Sequence, residues 1–161
     1  MSEFLAWMEA SALGRLMRGS GVWTYASVNL LHILGVASLF GAVLVLDLRL
    51  LGLMRRAPLA ALADAASPVA AAGFVVAATS GAALLATNAT DYIDNPFLLI
   101  KFPAIAVGLV NALAIRRSPA WRARHEREPT PAETRRLALM GGISLAAWLT
   151  AVAAGRMIGY W

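Results

Sequence analysis

Three basic side chains stand inside otherwise apolar stretches of this sequence: His32, Lys101 and Arg156. Each falls in a different run, and an ionisable group in hydrocarbon is costly enough to mark a functional position by default. His32 lies about ten residues past the Trp23/Tyr25 end of its run, a depth of roughly 15 Å at the helical rise. Lys101 lies about five residues, or ~7 Å, into its own run, and Arg156 stands close to the end of a third. Cations at overlapping depth repel one another unless an anion lies among them. A haem would supply it, because neutral imidazole is a standard axial ligand and the propionates would pair with Lys101 and Arg156. His32 is thus the expected metal ligand of a haem b site. Gly35, one turn further along the same face, would leave room for a flat macrocycle. Asn29, three residues before His32, shares that face as an expected hydrogen-bond partner. Met157 is open as a second ligand. Each of the three also has a plainer reading: His32 as an interhelical hydrogen-bonder, Lys101 as a snorkelling side chain, Arg156 as an anchor on lipid phosphate.

The elements that must position these residues are membrane spans. The chain has 161 residues, 60% hydrophobic and 14% charged, where a soluble domain is nearer half apolar and a quarter charged. A net charge of +5 does not point to nucleic acid, because 13 of the 14 basic residues are arginines crowded at the ends of apolar runs. No cysteine is present, which excludes disulfides, thiolate ligands and cysteine catalysis. The N-terminus has no basic stretch ahead of an apolar core and does not read as a cleaved signal peptide. Residues 3–18 carry apolar side chains at roughly helical spacing and predict a short amphipathic helix in the interface plane, broken by Gly19-Ser20-Gly21. Spans are expected at about 22–48, 68–88, 97–115 and 137–158, with Ser67-Pro68 capping the second. The prediction is a single all-α membrane domain, an antiparallel bundle of four transmembrane helices with an interfacial N-terminal helix.

Loops 49–66 and 116–136 hold the arginine excess; the second has seven arginines against three glutamates. By the positive-inside rule both are cytoplasmic, so both termini lie outside the inner membrane of a bacterium. Trp23, Tyr25, Tyr92, Tyr160 and Trp161 would then form an outer aromatic belt. That topology places His125 in a cytoplasmic loop, away from His32. At the inner end, Asp47 demands a partner and is expected to find an arginine, Arg116 or Arg117. Small residues on the second span (Ala70, Gly73, Ala77, Gly81) and the pair Gly155 and Gly159 suit a homo-oligomer, a larger membrane complex or packing within one bundle. Beyond the lipid bilayer itself, no partner is specified.

Three segments, LHILGVASLFGAVLVLDLRLLGL (31–53), DNPFLLIKFPAIAVGLVNAL (94–113) and SLAAWLTAVAAGRMIGY (144–160), together resemble a family of uncharacterised bacterial four-helix inner-membrane proteins carrying a domain of unknown function. More remotely, the layout is similar to the copper-resistance membrane domain of the CopD type and to the bacterial four-helix protoporphyrinogen oxidase. The latter has a His followed by Gly and Arg on its first helix and a Lys on its third. His32 and Lys101 match that layout and Arg49 matches loosely, whereas the inner end with Asp47 departs from it. The resemblance implies haem-binding chemistry. Two functional classes therefore stand side by side: a haem-associated redox or electron-transfer protein, and an accessory membrane subunit without cofactor. Copper handling is a third, for which no span offers a cluster of Met or His. Reporters fused within residues 118–130 should read cytoplasmic, and an external reading would overturn the orientation.

Overall fold

The computed structural model describes residues 2–161, which form helices and turns with no strand among them. In chain order the helices are α1 (Ser2–Ala10), α2 (Ala12–Gly19), α3 (Gly21–Leu50), α4 (Leu59–Thr87), α5 (Pro96–Arg117), α6 (Pro119–Arg122) and α7 (Pro131–Met157). Short 3-10 turns cover Ala89–Tyr92 and Ile158–Tyr160. Helices α3, α4, α5 and α7 are long and apolar enough to cross a bilayer. The fold is an all-α bundle with the architecture of a multi-pass membrane protein. The chain divides into two compact units, one running up to Leu39 and including Ala71–Pro96, the other made of Phe40–Ala70 and Phe97–Trp161.

In the first unit, the N-terminal segment is two helices rather than one. Ser11 is the break: its side chain accepts from the Gly14 amide at 3.2 Å and caps α2. Gly14 is needed there, since a Cβ on it would stand 2.3 Å from the Glu9 carbonyl oxygen and 2.7 Å from that of Ala86. Leu5, Gly14 and Met17 are buried, while Phe4 and Trp7 stack on each other at the surface. The pair is fastened to the turn after α4 by polar contacts. Glu9 Oε2 accepts from both the amide and the hydroxyl of Thr90, each at 2.7 Å, and Arg18 donates to the Thr87 carbonyl at 2.9 Å. Gly21, at φ +77°, makes the sharp entry into α3.

In the second unit, Leu50, Leu59, Ala63, Ile115, Ala120, Trp121, Leu137 and Met140 form one buried cluster, with Leu46 against it. This cluster explains two departures from the expected bounds. Helix α4 starts at Leu59 instead of 68, because Leu59, Ala63 and Ala66 place a buried stripe one turn apart along an alanine-rich segment. Pro68 therefore sits inside α4 and does not cap it; it forfeits one bond, to the carbonyl of Asp64. The Asp64 carboxylate meanwhile pairs with Arg124 at 3.0 Å and His125 at 3.5 Å. Helix α7 likewise starts early, at Pro131, where Thr130 and Glu133 close a capping box and Arg127 grips Glu133 at 2.7 and 2.8 Å.

The Thr90 amide, the Thr90 hydroxyl and then Arg18 hold the Glu9 carboxyl below the usual glutamate range. A depressed carboxyl contributes attachment that is present above its ordinary value and lost as pH falls through the folded one. The Thr90 amide shift should therefore titrate with a midpoint below that of a free glutamate. Glu9→Gln should abolish this titration and speed exchange of the α1 and α2 amides. Unchanged exchange would show that the contact does not hold these helices.

Candidate functional site

In the first unit, α3 and α4 run antiparallel and touch backbone to backbone. A Cβ on Gly35 would meet the Ala77 nitrogen at 2.7 Å and the Gly73 oxygen at 3.0 Å, and one on Gly73 would meet the Leu39 nitrogen at 2.5 Å. Only glycine allows this approach. One turn from Gly35, the His32 side chain crosses to α4. Its Nδ1 lies 2.9 Å from the Ala77 carbonyl oxygen and 3.2 Å from Ser80 Oγ. Beside the ring is Gly81, where a Cβ would come within 2.9 Å of Cε1. The half-buried imidazole thus rests in a notch that a larger residue at position 81 would fill.

The tautomer follows from the partners. The Ala77 carbonyl can only accept, and the Ser80 hydroxyl gives its proton to the Val76 carbonyl. Nδ1 must therefore donate, and in the neutral ring the lone pair belongs to Nε2. A histidine whose Nδ1–H is oriented by a main-chain carbonyl is arranged as metal-ligating histidines are.

The other expected site residues have different surroundings. Asn29 is exposed, and the partners just described for His32 come from α4. The space expected beside Gly35 is occupied by the α4 backbone, so Gly35 serves the helix contact and offers no room for a macrocycle. Lys101 and Arg156 belong to the second unit, where α5 and α7 run antiparallel. The half-buried Lys101 lies along Gly155, its Nζ 3.4 Å from where a Cβ would be. Arg156 is exposed, places its guanidinium 4.6 Å from the Tyr160 ring centroid and donates to that phenol oxygen. Met157 is exposed, and His125 pairs with Asp64. Among the described residues, no three His, Cys, Asp or Glu side chains converge as metal ligands.

The inner end also differs from expectation. Asp47 is buried and shares a hydrogen bond with Ser144 of α7, whereas Arg116 and Arg117 are exposed. Arg49 bonds the Ala57 carbonyl at 2.6 Å and lies 3.8 Å from Glu128. The residues missed from sequence were Ala77, Ser80 and Gly81 as the seat of His32, and Ser144. One signal was available for the first three. In an antiparallel pair, Ser80-Gly81 stands at nearly the same distance from Asn88 as His32 does from Trp23.

Compared with known proteins, the chain matches over residues 4–161 the profile of a family of unknown function, DUF6644. No curated protein and no solved structure matches it.

With His125→Gln leaving a single histidine, nitrogen NMR of labelled protein should show the neutral His32 ring protonated at Nδ1. Protonation at Nε2 would contradict the Ala77 contact.

Proposed function

The chain belongs to that family, which carries no known activity, and from its residues we propose that it is a bacterial inner-membrane protein binding haem b through His32. Its role is then redox or electron transfer. One observation carries the reading: Nδ1 of His32 is held at 2.9 Å from the Ala77 carbonyl, the orientation that puts the lone pair of the neutral ring on Nε2, the nitrogen a haem iron would take. A haem bound there supplies one-electron chemistry through its iron. The chain's own contribution is to fix the ring plane from α4 and to keep Nδ1 protonated. Gly81 contributes the clearance that seats the ring. From the sequence alone, the order of His32 and Lys101 is what a resemblance to the four-helix protoporphyrinogen oxidase would require, and it carries no reaction with it.

The arginine-rich segments before α4 and between α5 and α7 favour a cytoplasmic position for both, with the two termini outside.

A second reading, an accessory membrane subunit without cofactor, is favoured by the Gly35–Gly73 contact. In it the His32 bond fastens α3 to α4 and is worth about 0.6 kcal/mol, at most ~1.7.

Absorption spectra of detergent-purified protein, oxidised and dithionite-reduced, separate the two. Haem binding requires a Soret band in wild type that His32→Ala removes while circular dichroism shows the helices intact. A wild type that stays colourless when haem is supplied during expression would leave the accessory reading standing.

A further inference from the structure

Asp47 plays no part in the reading above, yet it is the side chain with the least ordinary surroundings in the second unit. It lies one turn before the end of α3, and only 2% of its surface is exposed. Ser144 of α7, itself buried, bonds one carboxyl oxygen, and Oδ2 has no hydrogen-bond partner. Where α3 passes α7 the packing is tight: a Cβ on Gly141 would stand 2.9 Å from Leu50 Cβ and 3.3 Å from the Asp47 carbonyl oxygen.

Among the described residues no basic nitrogen lies within ion-pair distance of this carboxyl. On its own helix, Arg49 is spent on the Ala57 carbonyl and Glu128. At the near end of α5, Arg116 and Arg117 are exposed; at the start of α7, Glu133 holds Arg127, and Arg135 and Arg136 are exposed. Asp64, in the first turns of α4, is taken by Arg124 and His125. Asn111 of α5 is turned to the Met140 carbonyl at 2.8 Å. A carboxylate left here would be buried with neither a counter-charge nor a full set of donors, which is the expensive case. A hard metal cation does not resolve it, since such ions take about six oxygen ligands and only Ser144 adds one to the carboxyl. A proton needs no further ligand and no room.

We infer that Asp47 is a proton-binding site, a carboxyl group that takes one proton from water and holds it in the α3–α7 contact. The O–H so formed donates to Ser144 Oγ, and the unmatched Oδ2 is then a neutral carbonyl oxygen, the least costly atom to leave bare. Proton access has a place to start: a cavity of about 60 Å³ lined by Arg49, Leu50, Glu128 and Thr134 opens one turn along α3. The site stands independently of haem binding, because it rests on α3 and α7 in the second unit alone.

Infrared spectroscopy of full-length protein carrying isotope-labelled aspartate tests this directly. At neutral pH the wild type should show one carbonyl band of a protonated carboxylic acid that moves with the label. The other three aspartates, Asp64, Asp91 and Asp94, lie in exposed positions, and Asp47→Asn separates their contribution from that of Asp47. Asp47→Asn should remove the band, and Ser144→Ala should raise its frequency by freeing the O–H. Carboxylate bands alone in labelled wild type at neutral pH would overturn the inference, whether or not Asp47→Asn folds. So would a protonated band that survives Asp47→Asn, or one indifferent to Ser144→Ala.

Discussion

Within the first unit, everything depends on how closely two helix backbones approach. Gly35 and Gly73 are mutually indispensable, since a methyl group on either would sit inside the other helix's main chain. In a membrane this matters more than in water, because lipid tails are as apolar as any side chain and helices gain nothing by merely hiding leucines. Association must come from close packing and from polar bonds across the contact. The glycine crossing supplies the first and His32 the second. At this separation an imidazole one turn away reaches the Ala77 carbonyl, and Gly81 is small enough to admit it. The seat of His32 is thus a by-product of the crossing.

The second unit uses glycine differently. There three helical glycines each receive a large side chain from another helix: Trp148 lies across Gly108, Lys101 along Gly155, and Leu50 against Gly141. These contacts interdigitate side chains instead of joining backbones. The cluster around Leu59, Trp121 and Leu137 extends the same packing past the apolar runs. The buried polar groups, Asp47 with Ser144 and Asn111 with the Met140 carbonyl, are matched across helices. A hydroxyl opposite Asp47 satisfies one oxygen but brings no charge, so the carboxyl is left to find its compensation elsewhere.

The spans were legible because hydrophobicity and arginine placement are properties of the chain itself. The cap at Pro68 was misread because proline inside a helix, although it loses a bond and crowds the carbonyl four residues back, is tolerated where packing offsets that cost. The buried stripe of Leu59, Ala63 and Ala66 outweighs that loss, and no local pattern announced it. The break at Ser11 depends on Gly14 meeting Ala86, a partner more than seventy residues away. For the site, the ionisable residues were visible and their partners were not. Gly35 read as empty space, whereas a small residue in a helix marks close approach as readily as a cavity. Asp47 read as needing an arginine because charge pairing is the commonest remedy for a buried acid, and the loop arginines prove to be occupied or exposed.

The glycine crossing can be tested against a glycine that touches nothing. Gly41, also in α3, has no neighbour within 4 Å of where a Cβ would stand, whereas at Gly73 the same Cβ would lie 2.5 Å from the Leu39 nitrogen. Unfolding of the purified protein in detergent should show Gly73→Ala less stable than wild type by about 1–3 kcal/mol, the usual cost of overpacking. Gly41→Ala should be neutral or slightly stabilising, since alanine is the better helix former. If the two variants unfold alike, α3 and α4 are not joined through Gly35 and Gly73, and the position assigned to His32 falls with that contact.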